Sequence, residues 1–286
     1  MGKLLLAIYL ALVSVFLPGN AAANEFREHI SREFSLQNNG HTKNLLVYNF
    51  SGFIKVEGYA GDKIVMEIDK EITAGSENDL ATGKKELKLS YDLTDDSITA
   101  YLEAPYDTRP RNSYHKRCNC DPPYSFKLDF TIRVPSGMNL TLSTVNDGVV
   151  SAKLVWGNLN LCNVNGEIWA EKIKGKTSAH TVNGDVNISY LSNPSEESSF
   201  YTVNGDITVT FQPDLSANLE FRSMNGQFYT NFPDAHLIPL PSRKYEEESG
   251  GSRIYRLSRA TVFRFGKGGK DFNFETLNGD IFIKHI

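Results

Sequence analysis

Six stretches of the chain are variants of one another: T-V-N-D-G from Thr144, N-V-N-G-E from Asn163, T-V-N-G-D from Thr181 and again from Thr202, S-M-N-G-Q from Ser223 and T-L-N-G-D from Thr276. Their central asparagines, Asn146, Asn165, Asn183, Asn204, Asn225 and Asn278, are separated by 19, 18, 21, 21 and 53 residues. Five consecutive units therefore share a period near 20, which is the mark of a stacked repeat, and the sixth is displaced by an insertion. Apolar residues alternate on both sides of each turn: Leu140 and Leu142, or Leu219 and Phe221, before it; Val186 and Ile188, or Ile207 and Val209, after it. That is the period of a half-buried strand. Counting by twos back from Ile207 reaches Gly205 rather than Asn204, so the parity flips at the N-G step. A glycine there allows a positive φ or a bulge, and with it a corner that keeps the apolar row inward.

Two architectures accommodate this pattern. N-G is a favoured hairpin turn, which predicts an antiparallel meander or sandwich. If each unit is instead one coil of a β-solenoid, N-G is a corner stacked on its own copies. A hairpin tolerates any polar residue before the asparagine, whereas the residues found there are Val145, Val164, Val182, Val203, Met224 and Leu277. Retention in register favours the all-β, solenoid-like stack, with equivalent residues ~4.8 Å apart and the six asparagines forming a ladder of amides. Asn183, Asn204 and Asn225 are expected to be adjacent and largely buried. The residues after the corner glycine, Glu167, Asp185, Asp206, Gln227 and Asp280, form an acidic row. Such a row reads as a solvated edge more readily than as a calcium site, because the nonapeptide spacing and glycine content of calcium β-rolls are missing. No metal or cofactor is expected.

The chain has 286 residues, 30 Lys+Arg against 34 Asp+Glu, and a net charge of −4. That balance excludes a nucleic-acid binder relying on a basic field, and 40% apolar content is too high for a disordered chain. Residues 1–23 run from Lys3 through an apolar stretch, Leu4 to Leu17, to Ala21, Ala22 and Ala23. A short basic start, an apolar run of that length and a small-residue end predict a secretory signal cleaved after Ala23, leaving Asn24–Ile286 exported to the periplasm or cell surface, with no transmembrane segment in the remainder. In an oxidising compartment Cys118, Cys120 and Cys162 are disulfide candidates. Cys118 and Cys120 are too close in sequence to pair with each other without strain, so Cys162 with one of them is expected. A zinc site from His115, Cys118 and Cys120 with Cys162 or His180 lacks a recognised spacing.

The mature chain reads as one all-β domain. N-terminal strands occupy 24–135, repeat coils 136–231, an insertion 232–270 and a terminal coil 271–286. Asn49, Phe50, Ser51 and Gly52 look like a degenerate corner, and only 78–85 hints at a helix. The loop 105–124 mixes Arg109, Arg111, His115, Lys116 and Arg117 with Tyr106, Tyr114 and Tyr124, and reads as a solvated surface loop. In the insertion, folding at S-G-G-S sets Glu248 opposite Arg253 and Glu246 opposite Tyr255, a charge-matched hairpin.

The T-V-N-G-D corners, the opening N-F-S-G-F-I-K-V-E-G-Y-A-G-D-K-I and the closing F-G-K-G-G-K-D-F-N-F-E-T-L-N-G-D-I-F-I resemble the bacterial putative-adhesin β-strand-repeat family over nearly all of Asn44–Ile286. The resemblance implies an exported all-β envelope protein with no catalytic residues to carry over. The expected role is a non-enzymatic, adhesin-like or structural module that presents its faces to an envelope glycan or protein. The alternatives are a carbohydrate-active enzyme on a β-helix and a self-assembling envelope scaffold. For the enzyme, Asp95, Asp96, Glu196 and Glu197 are the acids in apparent loops.

Overall fold

The computed structural model describes residues 24–35, 42–110, 122–238, 244–249, 252–257 and 261–286; side chains between 239 and 260 are not part of that description. Among the described residues the chain is all-β, with two large mixed sheets of eleven and ten strands that do not close on themselves, and one helix, Glu77–Glu86. Ser76 caps that helix, its hydroxyl accepting from the Asp79 amide at 3.2 Å.

Each repeat contributes its strand before the asparagine to the eleven-stranded sheet and its strand after it to the ten-stranded sheet, as Ser198–Asn204 and Ile207–Phe211 do. We call these the leading and trailing sheets. Every pair of repeat strands is parallel, and the pairs keep register apart from a shift between Glu171 and Ile173 where Ile168–Ile173 meets Val186–Tyr190. One inward row of the leading sheet is Leu142, Leu161, Ala179, Phe200, Phe274 and Phe221. Its counterpart in the trailing sheet is Val150, Ile168, Val186, Ile207, Ile281 and Phe228. All but the half-buried Phe228 are buried. The Phe200, Phe274 and Phe221 rings stack at 4.9 and 5.1 Å between centroids, the spacing that adjacent strands impose. Because the strands flanking N-G lie in different sheets, the step is not a hairpin turn.

Order in sequence and order in space diverge at both ends. The last unit, with strands Lys270–Asn278 and Ile281–His285, is seated between the Ser198–Phe211 unit and the Ala217–Thr230 unit. It is terminal in the chain and next to last in the stack. At the other end, Asn44–Tyr48 and Ile54–Tyr59 extend the same parallel sheets, followed outward by Ser97–Leu102 and Tyr124–Pro135. Antiparallel strands then close the margins. Lys63–Ala74 and Asn24–Ser35 finish one end of the trailing sheet, and Leu89–Leu93 that of the leading sheet. At the far end Thr261–Phe265 and Ala235–Ile238 finish the leading sheet, while the trailing sheet stops at Phe228–Thr230. The strands Lys244–Ser249 and Ser252–Leu257 pair with each other as a separate hairpin, with Glu248 opposite Arg253 and Glu246 opposite Tyr255.

Candidate functional site

The corner between the sheets is built from four stacked columns. The first is the residue two before the ladder asparagine. Thr144, Thr181, Thr202 and Thr276 are buried, and their hydroxyls donate to the carbonyls of Gly52, Gly166, Gly184 and Gly205 in the neighbouring unit at 2.9–3.2 Å. Asn163 takes this place in its unit and donates to the Gly148 carbonyl at 2.9 Å. Asn49 does the same in the degenerate corner, donating to the Ser51 and Leu128 carbonyls at 3.0 and 2.9 Å.

The second column is the asparagine series. Asn165 donates to Asn146, Asn183 to Asn165, Asn204 to Asn183, Asn278 to Asn204 and Asn225 to Asn278, all amide to amide at 2.7–2.9 Å and all in one direction. Two expectations need correction. Asn183, Asn204 and Asn225 are exposed, not buried; among the described residues the buried asparagines are Asn49 and Asn163. Asn225 touches Asn278 rather than Asn204, because the last unit intervenes. The aliphatic residue between the two columns points outward, and Met224 at the end of the stack is 77% exposed.

The corner glycines answer to close approach more than to φ. A Cβ on Gly184 would lie 2.3 Å from the Gly166 carbonyl oxygen, and one on Gly226 1.8 Å from that of Gly279. In the fourth column, Asp185 accepts from the backbone amide of Asp206, Asp206 from that of Asp280 and Asp280 from that of Gln227, at 2.7–2.8 Å. These carboxylates thus tie one unit to the next. Among the described residues no three His, Cys, Asp or Glu side chains gather as a metal site.

The outer face of the trailing sheet carries the candidate binding surface. One outward row runs Trp169, Asn187, Thr208, Phe282, Tyr229. The next contains Glu171, Ser189, Thr210 and Lys284. Trp169 is 49% and Tyr229 44% exposed, large for rings on a sheet face. Both are held: the Trp169 indole N–H donates to Glu167 at 2.6 Å, the Tyr229 hydroxyl donates to Gln227 at 3.0 Å, and Tyr229 stacks on Phe282 at 5.0 Å and 10°. Three strand spacings, ~14 Å, separate Trp169 from Phe282. Between them lie the half-buried Asn187, Ser189, Thr208 and Thr210, none of whose side chains hydrogen-bonds another described residue. Glu171 is paired with Lys153 at 3.2 Å and Lys172 at 3.6 Å, and the Lys153 contact holds its carboxyl below the usual range.

On the opposite face, Cys162 is an outward residue of the leading sheet, between Ser143 and His180, with Tyr201, Glu275 and Arg222 further along the row. It carries a free thiol, its sulfur 3.8 Å from the Asn160 side-chain oxygen, and burial raises its pKa. Burial also lowers that of His180. The expected disulfide joins Cys162 to Cys118 or Cys120, and both of those, with His115, lie outside the described residues.

The ends of the 105–124 loop are anchored rather than solvated. Tyr106 and Tyr124 are buried, with the Tyr124 hydroxyl donating to Glu86 at 2.6 Å and that of Tyr106 to Tyr124 at 2.7 Å. Arg109 lies 3.3 Å from the Tyr101 ring centroid and pairs with Asp92 and Asp107 at 2.8 Å each. Asp95 and Asp96 sit in the turn before Ser97–Leu102, while Glu196 and Glu197 are exposed before Ser198–Asn204. Those strands are five positions apart in the leading sheet, ~24 Å, beyond the ~5–10 Å a glycosidase pair requires.

No family model and no curated protein matches the chain. Among solved structures it is similar to a putative cell adhesion protein of Clostridium sporogenes, at 14% identity and TM-score 0.44, over 91% of this chain and all of that one. A putative adhesin of Bacteroides fragilis matches at 12% identity and TM-score 0.34, over 91% and 97%. A putative lipid binding protein of Parabacteroides distasonis matches at 10% identity and TM-score 0.25, over 90% and 96%.

Proposed function

We propose that this protein is an exported, non-enzymatic, adhesin-like envelope module in which a β-solenoid stack holds a broad outer face toward a partner. Support for the stack comes from parallel, in-register pairing of equivalent residues across the repeats and from corner columns that link each unit only to its neighbours. Export rests on the composition of residues 1–23. The observation that carries the binding role is the trailing-sheet face. Two fixed, exposed aromatic groups flank polar side chains that have no hydrogen-bond partner among the described residues, an arrangement that interfaces use and that a purely structural sheet has no need of.

The separation of the loop acids argues against the glycosidase alternative. Closure of three of the four sheet margins by antiparallel strands argues against indefinite end-to-end assembly. The test is co-sedimentation of purified 24–286 with bacterial envelope fractions, comparing it with the Asn187→Ala/Thr208→Ala variant. A pelleted fraction at least fivefold smaller for the variant is expected. Equal sedimentation of the two proteins overturns the reading.

A further inference from the structure

We infer that the trough between Trp169 and Phe282 on the trailing sheet binds an extended, uncharged polysaccharide. The inference rests on the reading of this face as a binding surface and adds the chemistry of the occupant. Its floor, Asn187, Ser189, Thr208 and Thr210, offers an amide and three hydroxyls, each able both to donate and to accept. None is used within the described protein. The contrast with the corner is informative: there asparagine and threonine side chains are consumed by ladders, whereas on this floor the same residue types are left open.

Charge complementarity narrows the class. The floor carries no ionisable group. One margin is the row Glu167, Asp185, Asp206 and Asp280, whose carboxylates repel an anionic polymer. On the other margin Glu171 is neutralised by Lys153 and Lys172, and Lys284 lies 5.4 Å from the Phe282 ring. Hydroxyl-rich neutral chains satisfy both conditions.

The rings supply the apolar half of the recognition. Bonding to Glu167, two residues earlier and just before the strand Ile168–Ile173, turns the Trp169 indole back toward the corner and fixes it. Phe282 and Tyr229 form a stacked pair at the far wall, with Tyr229 tied to Gln227 in the same manner. A sugar ring has an apolar face of C–H groups that packs against such rings and an equatorial belt of hydroxyls for the floor, so little side-chain entropy is lost on binding. The ~14 Å between the walls calls for several linked sugars rather than one.

The chain holds two tryptophans, so Trp156→Phe leaves Trp169 as a unique fluorescent reporter. That protein is titrated with cellohexaose, chitohexaose and maltohexaose, with glucose, and with hexagalacturonate as the anionic counterpart. At least one neutral hexamer is expected to shift the Trp169 emission saturably, glucose and hexagalacturonate should not, and adding Asn187→Ala/Thr208→Ala should weaken the hexamer at least tenfold. Absence of a response to all three neutral hexamers, an equal response to hexagalacturonate, or unchanged affinity in the double variant overturns the inference. Circular dichroism of each variant establishes that it is folded. Should the hexamers fail while envelope co-sedimentation still depends on Asn187 and Thr208 and is abolished by protease treatment of the envelopes, the occupant is a protein: the glycan assignment falls and the binding face stands. Failure of both assays removes both.

Discussion

At the residue scale, the corner separates two kinds of hydrogen bond that look alike in sequence. The Thr202 hydroxyl is buried and satisfies the Gly184 carbonyl, whereas the Asn204 amide is exposed and water can replace its partners. Thr202→Val leaves the part-buried Gly184 acceptor without that donor and is expected to cost about 1–3 kcal/mol. Asn204→Ala is expected to cost under ~1 kcal/mol despite breaking two ladder bonds, because both are made at the surface. Thermal melts check the order, at roughly 2–4 °C per kcal/mol for a chain of this size. A larger loss for Asn204→Ala would reverse the hierarchy. The importance of the first column was legible in principle. Its occupants Thr144, Asn163, Thr181, Thr202, Ser223 and Thr276 share one property, a side-chain hydrogen-bond donor. Which column faces inward was not legible, since the corner breaks the period of two from which facing is inferred.

At the element scale, the strand Asn24–Ser35 closes its sheet margin largely by charge. His29 bonds Asp69 at 2.7 Å and Glu67 at 3.0 Å, Lys70 approaches Glu28 at 3.4 Å, Lys63 pairs with Glu33, and Arg27 reaches Glu71 at 3.8 Å. Lys127 and Asp129 stand on the next strand inward. Hydrogen bonding to Asp69, opposed by desolvation and aided by Glu67, raises the His29 pKa. A raised histidine pKa means that the protonated form is favoured in the folded state. Its contribution is therefore complete below the unfolded value of about 6.5 and is lost as pH climbs through the higher folded value. Hydrogen exchange of the amides of 24–35, corrected for intrinsic rates, should show wild type better protected than His29→Gln at pH 5.5 and the two alike at pH 8.5. A difference that persists unchanged at pH 8.5 would contradict the assignment. Charged edges of this kind also discourage pairing with other chains.

At the scale of the whole molecule, the interleaving of units governs stability. The Lys270–His285 unit supplies both neighbours with parallel partners in both sheets, the Asn204 and Asn225 ladder bonds and the Phe274 ring between Phe200 and Phe221. Ending the chain at residue 269 is expected to abolish cooperative unfolding of the Ala217–Thr230 unit. Replacing 239–260 by a short flexible linker is expected to leave the midpoint within about 3 °C, since among the described strands that hairpin pairs only with itself and loop entropy varies slowly with length. Calorimetry of the two variants distinguishes them; a folded, cooperative truncation would refute the interleaved order.

Much of this protein follows from the sequence by itself. Internal repetition of short polar motifs marks the corners, alternation marks the strands, and the S-G-G-S step with its flanking charges sets the hairpin register, because each depends on neighbours close along the chain. The stacking order, the exposure of the ladder asparagines and the gathering of Trp169, Asn187, Thr208 and Phe282 on one face were decided only by tertiary structure. These residues come from four units spread over more than a hundred positions, and their juxtaposition depends on a chain end that returns to sit inside the stack. One local clue to that return exists. A corner aspartate serves the amide of the following unit, so the terminal unit of the stack has no amide to serve, and among the five N-G corners the one that lacks the acid is that of Gln227, not Asp280. Its meaning emerges only once the aspartate's partner is known to lie in another unit, and sequence spacing cannot show which unit that is.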